Sequence, residues 1–225
     1  QKVTETAKPI PAHHMEADPD DLDVAGGMFS VNGSPDKEMP LAAVAFEAFT
    51  AHNLPDGLEP NLEVQVTYDP PNFSWPFGTH MCAVEIDTET GETEVLQYVA
   101  VDDCGNQVNP LIVEGQVHGG VIQGLAQALW EEAAYDEDGN LQSSTLAEYL
   151  VPAASDVPAI TMGESITPSP SNPLGVKGVG EAGTIGAAPC VMNAVVDALS
   201  DLGIQDIQMP ATPNKVWSAI QEAQS

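Results

Sequence analysis

The stretch GVKGVGEAGTIGAAPCVMNAVVDAL (residues 175–199) decides the fold, because a glycine-rich segment passes there into an apolar segment with helical spacing. Its glycines surround one charged pair, Lys177 and Glu181. Glycine lets backbone N–H groups approach a ligand with no Cβ in the way. We expect a helix to begin just after this loop, at about residue 187, so that its amides and its dipole point at the loop. The pattern predicts a binding site for an anionic ligand.

Two other interpretations apply to the same loop. Gly178, Gly180 and Gly183 spell G-x-G-x-x-G, but the dinucleotide fingerprint follows a buried strand, and here the approach is TPSPSNPLGVK. The dinucleotide interpretation is therefore disfavoured. A structural interpretation stays open, in which the glycines form a tight turn and Glu181 only caps the helix. Alternatively, a lone carboxylate in such a loop can be desolvated, which raises its pKa and suits it to accept a proton.

Upstream of this loop, the apolar pattern predicts a β-hairpin and a long helix. Strands are expected over residues 79–86 and 93–101, joined by the turn DTETGE. The segment LIVEGQVHGGVIQGLAQALWEEAA after Pro110 has helical spacing despite four glycines, each of which costs roughly 1 kcal/mol relative to alanine. These glycines need a packing or a ligand reason, and we assign Gly119, Gly120 and Gly124 to helix packing.

The remaining elements complete an α+β fold with a mixed sheet, a β-hairpin and packed helices. A strand is expected around Ile160, and two closing helices over residues 187–202 and 214–223. Residues 1–38 are polar and rich in proline and glycine, which predicts an extended arm with at most one strand. Residues 39–225 are expected to form one domain, with a helix over residues 41–52 and a strand over residues 62–68.

The charge balance excludes several classes of partner. The chain has 34 Asp and Glu against 5 Lys and Arg, a net charge of −29, which repels nucleic acid and anionic membranes. The acids are scattered among apolar segments, so they belong to a folded surface, and we expect a halophile's cytoplasm, where salt screens the repulsion. The sequence contains no apolar run of about 18 residues, the length that would predict insertion into a membrane. The three cysteines and five histidines show no metal-ligand spacing, so we expect buried free thiols in a reducing compartment and no metal site on the protein side chains.

Residues 175–199 resemble the signature near the C-terminus of the xanthine dehydrogenase, aldehyde oxidase and carbon monoxide dehydrogenase family. DDCGNQVNPLIVEGQVHGGVIQGLAQAL resembles the second cofactor segment of that family. FSWPFGTHMCAVEIDTETG and MPATPNKVW are similar to stretches typical of its carbon monoxide dehydrogenase branch. The resemblance runs from about His13 to Ala223. It implies the C-terminal molybdopterin-binding domain of a large subunit, closest to the carbon monoxide dehydrogenase large chain.

The resemblance also implies roles for individual residues. Glu181 matches the active-site glutamate beside the molybdenum, which serves hydroxylating members as general base. Gln116 matches the glutamine that contacts the pterin part of the cofactor. Lys177, Gly178, Val179 and Gly180 match the loop against cofactor and metal, although Lys177 fits a structural partner of a carboxylate equally well. The cofactor implied is molybdopterin, as the cytosine dinucleotide, with molybdenum.

The resemblance implies partners as well. Family large subunits are longer, and the loop that distinguishes carbon monoxide from aldehyde or purine substrates would lie upstream of this sequence. We therefore expect a part of a molybdenum-dependent oxidoreductase that is inactive alone. It would act on a small-molecule substrate with the remainder of the large subunit, an iron–sulfur small subunit and an FAD-binding medium subunit. The alternative is a fragment that binds without catalysing. If one cofactor is bound, Gln116 and Glu181 should open into the same cleft.

Overall fold

The structure, a computed structural model, describes residues 2–225 apart from the Pro35 side chain and divides the chain into two compact units. The first unit ends at Asp69 and the second is Pro70–Ser225. The predicted boundary at residue 38 lies too early, because the helix that follows it packs into the core of the first unit.

The first unit combines short helices with a small antiparallel sheet. Its elements, in chain order, are α1 (Lys2–Ala7), α2 (Pro9–Met15), β1 (Leu22–Ala25), β2 (Met28–Val31), β3 (Ser34–Pro40) and α3 (Leu41–Thr50). The strand order is β1-β2-β3. Phe29 of β2 and Val44 of α3 are fully buried in the core of this unit. The helix predicted over residues 41–52 is thus confirmed, although it ends two residues earlier.

The prediction of an extended arm over residues 1–38 is wrong for the described residues, which exclude residue 1. Gly26 and Gly27, with φ of 57° and 80°, form the two-residue loop between β1 and β2. Asn32 and Gly33 form the loop between β2 and β3. Such pairs are strong hairpin signals, since glycine adopts positive φ at little steric cost. The glycines taken to indicate an arm are therefore hairpin turns.

The strand predicted over residues 62–68 does not form. This segment alternates apolar and polar residues, but it pairs with no strand of the described chain, and Val66 and Tyr68 remain exposed. A strand depends on a partner for its backbone hydrogen bonds, which alternation alone does not supply.

The second unit has the predicted α+β architecture. Its elements are β4 (Phe77–Ile86), β5 (Thr93–Asp103), α4 (Pro110–Leu129), β6 (Ile160–Glu164), α5 (Ala182–Ala198) and α6 (Pro213–Ala223). β4 and β5 form the antiparallel hairpin and β6 adds in parallel to β5, which makes the sheet mixed. Tyr98, Leu125 and Val191 are fully buried in its core. No helix of residues 2–225 combines the length and apolarity needed to cross a membrane.

Helix α5 begins five residues earlier than predicted, so Gly183 and Gly186 lie inside it. The reason is its crossing with α4. A Cβ on Gly183 would lie 2.5 Å from the Val117 carbonyl oxygen, and a Cβ on Gly120 would lie 2.9 Å from Thr184 N. The Thr184 hydroxyl donates a hydrogen bond to the Gly120 carbonyl at 3.0 Å. Tertiary packing, in which only glycine permits this backbone approach, overrides the low helix propensity of these residues.

We expect Gly183→Ala to lower the free energy of unfolding by about 1 to 3 kcal/mol, because its Cβ has no room between α4 and α5. The matched control is Gly119→Ala on α4, where a Cβ would meet nothing within 4 Å. That variant should be as stable as wild type or up to about 1 kcal/mol more stable. Urea unfolding measures both, and equal stability of the two variants would contradict the packing argument.

Candidate functional site

The glycine loop is fastened to the end of strand β5. The Lys177 N–H donates to the Cys104 carbonyl at 2.8 Å, and the Asn106 N–H donates to the Gly175 carbonyl at 3.0 Å. Gly105 and Val176 form an isolated antiparallel bridge between these contacts. The loop therefore leaves β5 in a defined position and reaches α5 at Glu181.

Lys177 forms a buried ion pair with Asp103. Its Nζ lies 2.9 Å from Asp103 Oδ1, and the two side chains are 7% and 0% exposed. Burial alone would raise the pKa of Asp103. Hydrogen bonds from the Lys177 ammonium and the Gly105 N–H outweigh burial and hold this pKa well below its usual range. The Lys177 ammonium is therefore engaged with a carboxylate, the structural partnership that the sequence left open for it.

Glu181 occupies the N-cap position of α5 without capping the helix. Its side chain makes no capping hydrogen bond, and the residue is exposed to solvent. The interpretation of Glu181 as a mere cap therefore does not hold. The desolvation expected for this carboxylate is also absent, since the glycine loop alone does not bury it. What the structure provides is an accessible carboxylate at a helix N-terminus.

Gln116 of α4 meets the loop directly before Glu181. Its side-chain Nε2 lies 3.7 Å from the position that a Cβ on Gly180 would occupy. The contact follows from the close crossing of α4 and α5, because Gly120 lies one helical turn after Gln116. The predicted convergence of the glycine loop with the Gln116 helix is thus confirmed.

The glycines around this meeting point fall into two groups. Gly120 and Gly124 have packing neighbours within about 3 Å of a Cβ position, as predicted. Gly119 does not, so its assignment to helix packing is wrong: Gly115, Gly119 and Gly178 have nothing within 4 Å of that position. Packing does not explain these three glycines. Their backbone is open, so a ligand could approach it without meeting a Cβ.

A buried polar network that the sequence analysis missed lies beneath α5. His80 pairs with Ala100 across β4 and β5, so Tyr98 and Asp102 are its diagonal neighbours. The imidazole Nδ1 lies 2.8 Å from the Tyr98 hydroxyl, and Nε2 lies 3.2 Å from Asp102 Oδ2. A Cβ on Gly186 would lie within 3 Å of three atoms of this ring. The paired acids Asp102 and Asp103 at a strand end were the signal that could have revealed the network.

The three cysteines are free, as predicted. The prediction that they are buried holds for Cys104, whereas Cys82 and Cys190 are only half-buried. Burial raises the pKa of the Cys82 thiol to about 12, so this thiol stays protonated near neutral pH.

The Asp103 carboxyl should make stability depend on pH. Its folded-state pKa lies below the ordinary value of 3.8, so its stabilising effect is complete above that value. The effect is lost as the pH falls through the folded-state pKa. We therefore expect the stability difference between wild type and Asp103→Asn to narrow as the pH falls below about 5. Urea unfolding at a series of pH values measures it, with the exposed Glu222→Gln as control. A difference that stays constant to pH 3 would contradict the ion-pair argument.

Comparisons with known proteins place the chain in a family. The profile of a family described as Molybdopterin cofactor-binding domain matches residues 1–158. The carbon monoxide dehydrogenase large chain of Hydrogenophaga pseudoflava is 42% identical over 222 residues, which cover 99% of this chain and 27% of that protein. The chain thus spans about a quarter of the length of the curated relatives it matches.

Solved structures agree with the sequence relatives. Reconstituted CO dehydrogenase from Oligotropha carboxidovorans superposes with a TM-score of 0.85 at 38% identity, over 99% of this chain and 28% of that one. Quinoline 2-oxidoreductase from Pseudomonas putida 86 superposes with a TM-score of 0.80 at 42% identity, over 98% of this chain and 28% of that one. The resemblance predicted from the sequence is confirmed. The chain belongs to the molybdopterin cofactor-binding domain family.

Proposed function

We propose that this chain forms part of a molybdenum-dependent oxidoreductase of the carbon monoxide dehydrogenase or aldehyde oxidase type. In it, the chain supplies the active-site glutamate and one wall of the molybdopterin site. One observation carries the proposal: Glu181 lies at the N-cap position of α5, but its side chain does not cap the helix. It follows directly after Gly180, where the Gln116 side chain approaches the loop. A structural glutamate would be expected to cap the helix or pair with a cation.

The residues of the site have distinct tasks in this proposal. The Glu181 carboxylate accepts a proton, which requires that it be reachable, as its exposure allows. The Gln116 side-chain amide offers hydrogen bonds to the pterin. The backbone of Lys177, Gly178, Val179 and Gly180 lies against the cofactor, where the open face of Gly178 leaves room for it.

The cofactor of the proposal is molybdopterin with molybdenum, in the cytosine dinucleotide form. The open glycines beside Gln116 fit a large ligand, and the loop amides and the N-terminus of α5 favour an anionic one. The bound cofactor would supply the redox chemistry and polarise water so that its proton can be removed. The substrate is a small molecule; the relatives are named for carbon monoxide and quinoline, so the resemblance does not fix which one.

Electron transfer and completion of the site would fall to partners. We assign these roles to the remainder of a large subunit, an iron–sulfur small subunit and an FAD-binding medium subunit. Large apolar side chains support the need for partners, since Trp75 is 73% exposed, Leu111 77% and Ile112 61%. Such surface normally marks an interaction site.

A second candidate function is a fragment that binds partners without catalysing. The exposed Glu181 and the exposed apolar side chains are compatible with it. Metal analysis separates the two candidates: molybdenum and pterin in the natively isolated complex support the catalytic proposal. A well-folded complex without them supports the fragment.

The surface charge leads us to place the protein in a halophile's cytoplasm. Five cations cannot neutralise 34 carboxylates, so at least 29 of these acids have no cation partner of their own. Concentrated salt would screen their mutual repulsion.

We expect Glu181→Gln in the complete enzyme to lower kcat by about 10²- to 10⁴-fold, because it removes the proton-accepting charge and keeps the size. Molybdenum content and folding should stay at wild-type levels. Steady-state kinetics with metal analysis measures this, and Glu222→Gln on α6 serves as control. Turnover within about twofold of wild type, with the cofactor loaded, would remove Glu181 from the mechanism.

We also expect the melting temperature of the chain to rise between low and molar potassium chloride, because screening relieves repulsion among the unpaired carboxylates. Calorimetry across the salt series measures it. An unchanged or falling melting temperature would contradict the halophile proposal. It would not bear on the cofactor proposal.

A further inference from the structure

Two consecutive carboxylates end strand β5, Asp102 and Asp103, and they are only 8% and 1% exposed. Asp103 pairs with Lys177, which precedes Glu181 in the loop. Asp102 contacts His80, whose ring lies against Gly186, which follows Glu181 in α5. We propose that Asp102 and Asp103 are positioning residues that hold the backbone on either side of Glu181: Asp103 holds the loop before it, and Asp102 holds the helix after it. The effect on rate rests on the proposed function, whereas the effect on the backbone does not.

The Asp103 contact acts through Lys177, four residues before Glu181. Asp103 Oδ1 accepts from the Lys177 ammonium and from the Gly105 N–H, both at 2.9 Å. The Lys177 ammonium also lies 4.4 Å from the centroid of the Phe77 ring. The ion pair therefore acts together with the backbone hydrogen bond from Lys177 to Cys104 in fixing the loop at the end of β5.

Between Lys177 and Glu181 the loop has little else to hold it. Gly178 and Gly180 have no side chains, and only Val179 packs against the core. The Ala182 N–H donates to the Val179 carbonyl at 3.2 Å, which turns the chain into α5. A displacement of Lys177 would therefore also displace Glu181.

The Asp102 contact acts through His80 on the helix side. The imidazole bridges Asp102 and the Tyr98 hydroxyl and is 3% exposed. Gly186, five residues after Glu181, lies against this ring so closely that a Cβ would overlap it. On the partner strand, Gly78 leaves space for the Asp102 carboxylate, which a Cβ there would displace. The network therefore helps to set the distance between the first turns of α5 and the β4–β5 sheet.

The two contacts together restrain the segment from Lys177 to Gly186 at both ends, from adjacent positions on one strand. Glu181 lies near the middle of this segment. Buried polar groups are costly unless they are hydrogen-bonded, so loss of Lys177 or His80 would leave the facing aspartate without this partner. A purely structural role would stabilise the fold as a whole, whereas a positioning role should loosen residues 178–187 selectively when it is removed.

The test uses the complete multi-subunit enzyme with Asp103→Asn and His80→Gln. The matched control is Lys215→Met, which removes another ion pair of this unit, the half-exposed pair with Glu132 at 2.8 Å. Amide hydrogen exchange of residues 178–187 is compared with that of α6, together with molybdenum content, kcat and KM. We expect exchange at 178–187 to accelerate about tenfold or more, with α6 unchanged. We also expect kcat to fall about tenfold or more while KM and molybdenum content stay near wild type.

A conservative variant covers the case in which Asp103→Asn does not assemble. Lys177→Arg keeps the charge but changes the length, so it should give the same selective exchange at a smaller amplitude. Normal exchange at 178–187 in the assembled variants, or acceleration spread evenly over the unit, would overturn the positioning role. If Glu181→Gln leaves turnover unchanged while the selective exchange persists, the proposed function fails and the positioning role stands.

Discussion

The backbone contact between Gly120 of α4 and Gly183 of α5 is the constraint on which the rest of the site depends. It lets two helices approach more closely than any pair of side chains would allow, and the Thr184 hydroxyl secures it with a hydrogen bond to the Gly120 carbonyl. Glycine in a helix costs roughly 1 kcal/mol relative to alanine, which the packing of the crossing must offset. Because the helices cross there, Gln116 lies one turn away beside Gly180, and the carboxylate of Glu181 follows immediately.

Glycines of the same two segments serve opposite purposes. Those at the crossing make room for protein backbone. At Gly115, Gly119 and Gly178 a Cβ would meet nothing within 4 Å in the described chain, so these glycines leave backbone open on α4 near Gln116 and in the loop before Glu181. A ligand that lies along this surface meets backbone amides and the N-terminal end of a helix, which together favour an anionic group. Large apolar side chains such as Trp75 and Leu111 are also exposed, which supports a role in a larger assembly.

The sequence predicted the hairpin, the long helix and the closing helices of the second unit, because periodicity and turn residues there agree with the packing. The prediction from sequence failed where composition was given more weight than strand pairing. The glycines of residues 26–33 form hairpin turns rather than an extended arm. Residues 62–68 alternate apolar and polar side chains but have no partner strand. The early start of α5 was missed because contacts with α4 and His80 override local propensity. Glu181, Gln116 and the loop were reached through resemblance. The pairing of Lys177 with Asp103 was open, and that of His80 with Asp102 was missed, since the sequence does not show which side chains meet across strands.

The location of molybdenum in the intact complex tests the central claim most directly. A crystal structure of the natively isolated enzyme, with anomalous diffraction recorded at the molybdenum absorption edge, would place the metal without reference to any assumed mechanism. The account predicts that the peak lies beside the Glu181 carboxylate, with pterin density against Gln116 and the open faces of Gly119 and Gly178. Molybdenum on another face of the second unit, with Glu181 remote from it, would contradict the account.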